Sequence, residues 1–487
     1  MRRRGFLGVD IGTSSSKGVL VAEDGDILRT AVREHAVSRP APGHVEMDGE
    51  LWWAEFVELA SELTAPGDVD VAAVGVSGMG PCVLLTDEAG TPLRPAILYG
   101  VDTRAQAQIA ALDAELGAAA ILERGGSLLS SQAVGPKLRW VAEEEPEVFA
   151  RARRLFMPAS WLAYRLTGEY VLDFHSASQC TPLFDTEALA WHAPWAEHIA
   201  PDLELPPLRW AGEQAGVTAR AVAGIPAGVP VITGTIDAWS EAISVDAQNP
   251  GDLMLMYGTT MFLVATVPVR VTSELMWGTV GAFEGTRNLA GGMATSGAVT
   301  AWLRDLTGGV DYPTLLAEAA ASGPGARGLL ALPYFAGERT PIFDPDARGV
   351  IAGLTLTHTR GDLYRAVLEA TAFGVRHNVD ALRAAGARID RVVAVGGGTQ
   401  GDLWTQVVSD VTGLEQVIPT RTIGASYGAA FLAARLLTDA SMAQWNPPAA
   451  TRTPDPATTA VYDRLYDLYL DLYPATRDVV HALARTQ

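Results

Sequence analysis

The chain opens with short apolar blocks separated by tight polar turns. Phe6 to Asp10 is an apolar run ending on an aspartate, which predicts a buried strand. Val19 to Ala22 follow as its hairpin partner, and the Asp24-Gly25 turn leads to a third strand at Ile27-Leu28. Gly12, Thr13, Ser14, Ser15, Ser16 and Lys17 therefore fall at a hairpin tip. Further strands are expected at Val71 to Val76 and Val83 to Thr86, and helices at Thr103 to Leu116 and Lys137 to Ala142.

Breaker residues then gather in GIPAGVPVITGTIDAW and at Asn249-Pro250-Gly251, which places a domain boundary between Asp237 and Gly251. Next comes DLMLMYGTTMFLVATV, an apolar strand, a Gly-Thr-Thr turn and a second apolar strand. This is the opening hairpin again as a pattern, and it predicts an internally duplicated fold. A long helix is expected from Asp362 to about Leu382. A strand from Val392 to Val395 then meets Gly396-Gly397-Gly398, before a helix carrying Leu403, Trp404, Val407, Val408 and Val411. The Pro/Thr/Ala-rich stretch from Gln444 to Ala457 reads as a surface connection. A last helix follows, whose Tyr462, Tyr466 and Tyr469 form a packing stripe. The expected organisation is residues 1–245, 246–440 and a C-terminal linker with a packing helix over 441–487.

At 487 residues, two domains are the prior for a chain of this length. A net charge of −20 without a basic patch argues against nucleic acid and anionic membrane as partners. The uncharged run from Leu253 to Val269 contains Gly258, Thr259, Thr260 and Pro268, and reads as two strands about a turn rather than a membrane span. Cys82 and Cys180 are the only cysteines and lack metal-ligand spacing, so a reducing cytoplasm is expected. Arg3 and Arg4 superficially suggest an export signal, but Asp10 and Lys17 interrupt the apolar segment it would need.

The first hairpin tip is not a Walker A loop, because its glycine and lysine spacing differs and a strand rather than a helix follows. Such a tip can still hold phosphate: Gly12 permits close approach, Thr13 to Ser16 donate hydrogen bonds, and Lys17 adds positive charge. Asp10 beside them suits Mg²⁺, bound directly or through water. A polar β-turn with a capping aspartate would read the same way. Two such hairpins and the Gly396-Gly397-Gly398 turn together describe a nucleotide cleft in an α/β fold. The expected class is the two-domain, actin-like or Hsp70-like ATPase fold, with duplicated ribonuclease H-like domains and an interdomain cleft.

Several segments resemble the FGGY family of carbohydrate kinases in order and spacing, from Phe6 to about Leu437. GERTPIFDPDARGVIAGLTLTHTRGDLYRAVLEATAFG is similar to the family's long C-terminal pattern, and GGGTQGDLWTQVVSDVTG to its adenosine-side turn and helix. Lys137-Leu138-Arg139-Trp140 preserves the end of a second pattern whose upstream residues are replaced at Gln132 and Val134. The resemblance implies ATP and Mg²⁺ as cofactors and a small sugar as acceptor. It places the sugar and the first phosphate loop in residues 1–245, and the nucleotide in residues 246–440. Gly12, Thr13, Ser14, Lys17, Gly258, Thr259, Thr260, Gly297, Gly397, Gly398 and Gly401 would bind ATP, with Asp10 on the metal. The family's catalytic base matches Asp237 in Gly234-Thr235-Ile236-Asp237. A carboxylate suits that task, aligning the acceptor hydroxyl and taking its proton late. Alone, Asp237 would serve equally as a helix cap.

For the acceptor, the family places polar contacts after the strand at Val71 to Val76 and around Tyr99 to Arg104. Ser77-Gly78-Met79-Gly80-Pro81 resembles neither the xylulokinase nor the glycerol kinase version of the first of these. Met79, Gly80, Tyr99, Asp102 and Arg104 are the implied substrate residues, with a helix cap as the alternative for Asp102 and core burial for Tyr99. The overall texture, notably GERTP and LYRAVLE, lies nearer xylulokinases, which points to a ketopentose such as D-xylulose. The rivals are a kinase for another ketose, a polyol or glycerol, and a non-kinase nucleotide switch. A DNA-binding regulator on this fold would need an appendage that the sequence before Phe6 does not offer. A homodimer is compatible with the sequence.

Overall fold

The computed structural model describes residues 3–486, which form two compact units. Among the described residues the first comprises 3–248, 268–288 and 423–447; the second comprises 249–267, 289–422 and 448–486.

In the first unit, β1 (Arg3–Ile11), β2 (Ser15–Ala22) and β3 (Ile27–Glu34) form an antiparallel meander. β4 (Val69–Gly78) pairs parallel to β1 on its other side. β5 (Gln214–Val217) and β6 (Pro230–Ile232) complete the row β5-β6-β4-β1-β2-β3, and the short β7 (Thr235–Ile236) also pairs with β4. β1 from Gly5 and β4 from Val71 are almost wholly buried, which explains the apolar runs Phe6 to Val9 and Val71 to Val76.

One face of this sheet is covered by helix Ala425–Arg435. Its approach is set by two glycines: a Cβ on Gly8 would fall 2.0 Å from the Ser426 carbonyl oxygen, and one on Gly75 2.0 Å from that of Ala429. Any side chain at either position would push the helix off the sheet.

The second unit repeats the plan. β8 (Asp252–Tyr257) and β9 (Met261–Val267) are an antiparallel hairpin, and β10 (Arg287–Met293) lies beyond β9. β11 (Arg391–Val395) pairs parallel to β8, followed by β12 (Gln416–Pro419) and β13 (Pro448–Arg452). The row β10-β9-β8-β11-β12-β13 matches β3-β2-β1-β4-β6-β5 position for position, including a parallel and then an antiparallel step at the far end. The duplication expected from two short hairpins thus extends across both sheets. In the last helix, Thr459–Ala484, Tyr462, Tyr466 and Tyr469 are buried and hydrogen-bonded to Glu369, Asp380 and Tyr334, so the aromatic stripe is a packing face.

Among the described residues, no helix is long and apolar enough to cross a membrane. The run from Leu253 to Val269 holds β8, its turn and β9, as its turn residues indicate.

Candidate active site

Parallel strands gather their carboxyl ends on one edge, and ligands of open α/β sheets bind there. At that edge of the first unit Asp10 stands opposite Ser77, and Ser77 opposite Thr235. Ser77 donates its hydroxyl to Asp10 Oδ1 at 2.7 Å, in a site where Asp10 is only 8% exposed. Two residues after Thr235, Asp237 begins helix Asp237–Ser244. Three strand ends therefore bring Asp10 and Asp237 into one neighbourhood, though they lie far apart in sequence.

The electrostatics of that neighbourhood show uncompensated negative charge. Burial raises the Asp10 carboxyl, against weaker opposing effects of the Ser77 hydroxyl and Lys17. Burial raises Asp237 as well, and the nearby Asp10 charge adds to it. Glu241, one helical turn beyond Asp237, is pushed up to about 7 by burial and by Asp10. Sequence reasoning missed Glu241, since nothing in the primary pattern marks that turn as facing Asp10. Asp237 is not the N-cap: Ile236 occupies that position, and Asp237 Oδ1 accepts from the Ala238 N–H at 2.7 Å.

The first hairpin tip is closed by the Gly12 N–H donating to the Ser15 carbonyl at 3.1 Å. Thr13 turns its hydroxyl toward Tyr99, 2.9 Å from the phenol oxygen, and toward the Met79 sulfur at 3.6 Å. Lys17 stands across from Asp10 in the β1–β2 ladder and Ser14 is exposed. Met79 is buried, and a Cβ on Gly80 would meet Ile236 Cγ1 at 2.7 Å, so this turn packs directly on the residue before Asp237.

Tyr99 is half-buried, and its carbonyl accepts from Lys137 Nζ at 3.0 Å and from the Asp102 N–H at 3.0 Å. Lys137 is buried, which brings its ammonium down to about 8. Asp102 and Arg104 form a bidentate ion pair with side chains 0% and 1% exposed. Asp102 also accepts from the Val45 N–H at 2.6 Å, and the Arg104 guanidinium lies over Trp140, 4.8 Å from the ring centre. Neither side chain keeps an exposed polar atom, so the pair braces the Tyr99 loop from behind.

In the second unit, the Gly258-Thr259-Thr260 tip is tied to the start of helix Gly297–Leu306. Gly297 N–H donates to the Gly258 carbonyl at 2.9 Å, and Ala298 N–H to that of Thr259 at 3.1 Å. A Cβ on Gly297 would fall 2.6 Å from the Gly258 oxygen, which explains the glycine there. Beside this junction lies a cavity of about 700 Å³. Gly258, Thr259, Gly297, Gly397, Gly398 and Gly401 form its backbone-rich wall, while Tyr312, Pro313, Leu316, Leu368 and Trp404 form an apolar one. Thr260 instead closes the turn through its carbonyl, which accepts from Gly258 N–H at 3.1 Å. The apolar wall escaped sequence reasoning because Leu368 and Trp404 read as ordinary core positions on amphipathic helices.

A cavity lined by glycine backbone and by apolar side chains suits a flat heteroaromatic ring carried on a phosphate chain. The repeated sheet plan is that of the duplicated actin-like architecture, and a carboxylate pair in one unit and a cavity of this chemistry in the other are what a phosphotransferase built on it needs. The comparisons with known proteins agree. Residues 6–244 match the N-terminal domain, and residues 253–437 the C-terminal domain, of the FGGY family of carbohydrate kinases. The chain is 31% identical over 440 residues to the xylulose kinase of Escherichia coli strain K12, covering 88% of this chain and 89% of that one. It is 32% identical over 453 residues to the glycerol kinase of Nocardia farcinica, covering 88% and 90%. The crystal structure of xylulose kinase from Rhodospirillum rubrum superposes with a TM-score of 0.92 at 32% identity, covering 98% of this chain and 100% of that one. The chain belongs to the FGGY family of carbohydrate kinases, and it is a carbohydrate kinase.

Proposed function

We propose that the protein transfers the terminal phosphoryl group of ATP to the terminal hydroxyl of a small sugar, D-xylulose being the preferred acceptor. The observation that carries this reading is the placement of Asp237 at the strand edge beside Asp10, with its carboxyl raised by burial and by that neighbour. A base of this kind holds the acceptor hydroxyl and takes its proton as transfer proceeds. Asp237 is the base in this reading, and Asp10 belongs to the metal.

The donor set fits Mg²⁺ carried by the nucleotide. Asp10 supplies a hard oxygen ligand whose negative charge the protein leaves largely uncompensated. Among the described residues, no group of three or more His, Cys, Asp or Glu side chains could hold a metal ion by itself. Phosphate oxygens and water would complete the shell, the usual arrangement for this ion. When bound, Mg²⁺ neutralises charge on the transferring phosphates.

We assign the adenosine to the cavity of the second unit, where Gly397, Gly398 and Gly401 allow close backbone approach and Trp404 and Leu316 give apolar contact. Gly258, Thr259, Thr260 and Gly297 serve the phosphates in that unit, and Gly12, Thr13, Ser14 and Lys17 in the first. Met79, Gly80 and Tyr99 line the acceptor side, with the Asp102–Arg104 pair fixing the Tyr99 loop. A reducing cytoplasm supplies both substrates.

The xylulose kinases named above support the ketopentose, while the glycerol kinase at similar identity makes glycerol the control. ADP release measured across ketopentoses, ketohexoses, alditols and glycerol tests the reading. The expected result is highest kcat/KM with D-xylulose, loss of turnover in Asp237→Ala and retained nucleotide binding in that variant. Preference for glycerol would replace the acceptor, and near-normal turnover in Asp237→Ala would remove the assigned base.

A further inference from the structure

Helix Gly49–Thr64 turns a stripe of Trp52, Phe56, Leu59 and Leu63 into the core, and Glu55 sits within it at 5% exposure. A buried carboxylate on an apolar face is costly unless it is hydrogen-bonded. Glu55 is: Ser16 Oγ donates to Oε2 at 2.5 Å, and His35 Nδ1 lies 2.9 Å from Oε1. The other ring nitrogen, His35 Nε2, reaches the Gly12 carbonyl at 3.1 Å. That carbonyl can only accept, so Nε2 carries hydrogen in this contact. The His35 backbone N–H also donates to the Ser14 carbonyl, again at 3.1 Å.

One residue thus holds two carbonyls of the first hairpin tip, those of Gly12 and Ser14. The intervening amides are treated differently: the N–H groups of Thr13 and Ser14 have no protein acceptor among the described residues. Tying back the carbonyls while leaving successive amides free is how a turn becomes an anion-binding concavity. We propose that His35, held by Glu55 and Ser16, is a positioning residue that sets the first hairpin tip for the nucleotide's phosphates. This inference rests on the reading of that tip as a phosphate loop.

The test is calorimetric titration of a nonhydrolysable ATP analogue with Mg²⁺ into the full-length wild type and His35→Ala, Glu55→Ala, Glu55→Gln and the double alanine variant, alongside kcat, both KM values and Tm. Loss of one positioning contact predicts roughly tenfold weaker analogue binding in each single alanine variant. The double variant should be no worse than either single one, because both break the same device. Glu55→Gln keeps a hydrogen-bonding partner for Nδ1 and should recover most of the loss, while the sugar KM stays within about twofold of wild type. Unchanged analogue affinity in His35→Ala overturns the proposal, as does a fall in Tm with equal weakening of sugar and nucleotide. If His35→Ala does not fold, Ser16→Ala carries the same comparison, with about threefold weaker analogue binding expected and none overturning it. A wild type that binds the analogue but phosphorylates no sugar overturns the kinase reading and leaves these affinities to decide the brace. One that binds no nucleotide overturns both.

Discussion

Gly428 lies against the backbone of Ser240 so closely that a Cβ there would fall 1.9 Å from the Ser240 carbonyl oxygen. This contact joins helix Ala425–Arg435, seated on the sheet through Gly8 and Gly75, to the helix that begins with Asp237. Ser240 Oγ, donating to the Ala425 carbonyl at 2.7 Å, fixes the same pair of helices. Gly428→Ala cannot be accommodated without shifting one of these two helices against the other. Overpacking of this kind costs about 1–3 kcal/mol. A small displacement of the proposed base would cost about a hundredfold in rate. Steady-state kinetics and thermal melting of Gly428→Ala check this, and an unchanged kcat would mean that the helix position is not what sets Asp237.

Asp237→Asn separates the catalytic from the structural consequences of a buried acid. Its folded-state carboxyl is raised to about 7 by burial and then by Asp10, so the folded chain binds more protons than the unfolded chain between about pH 4 and pH 7. Stability therefore falls as pH rises through that window, and the neutral amide escapes the penalty. Asp237→Asn should be more stable than wild type at pH 8 by about 1–3 kcal/mol, with the gain shrinking towards pH 4.5. Its turnover should drop by about 10²–10⁴-fold, the usual contribution of a general base. Melting curves at the two pH values with parallel assays read both, and a variant less stable than wild type at pH 8 would contradict the sign.

With Asp237 as the proposed base, the same raised carboxyl would set the acid side of the activity profile. A base must be ionised to take a proton, so kcat/KM for the sugar should decline as pH falls below about 7 and level off above it. Glu241 contributes a further upward push on Asp237. Glu241→Gln should move the acid limb to lower pH while leaving the plateau in place. An acid limb that stays put, or moves to higher pH, would show that the Glu241 charge does not reach the base.

Much of this arrangement was legible in the primary pattern because it is local. The hairpin tips announce themselves as Gly-Thr between apolar runs, and Gly396-Gly397-Gly398 as a strand-to-helix turn. What the pattern could not show depends on contacts between distant segments. Glu55 looks like one polar residue in an amphipathic helix until Ser16 and His35 are placed around it. Asp102 and Arg104 carry the right groups for a sugar, but burial against Val45 and Trp140 takes those groups up. Segments 268–288 and 423–447 belong to the first unit although no compositional break marks their return. Their glycines are spaced for close packing, which becomes meaningful only when the opposing backbone is known.

The adjacent glycines after β11 give a sharper test of the nucleotide cavity than either would alone. A Cβ on Gly398 would lie 2.7 Å from the Trp404 ring and 2.9 Å from Tyr257 Cβ, two side chains anchored by hydrogen bonds to Thr371 and Gln416. A Cβ on Gly397 would meet no heavy atom within 4 Å, although the residue lines the cavity. Gly398→Ala should therefore lower stability, since its neighbours must shift. Gly397→Ala should leave the melting temperature close to wild type and act only on what enters the cavity. If the adenosine lies against this turn, Gly397→Ala raises the KM for ATP roughly tenfold, about 1.4 kcal/mol of lost binding, with the sugar KM unchanged. Equal KM values for ATP in wild type and Gly397→Ala, measured at saturating sugar, would move the nucleotide away from this wall and with it the roles given to Gly398 and Gly401.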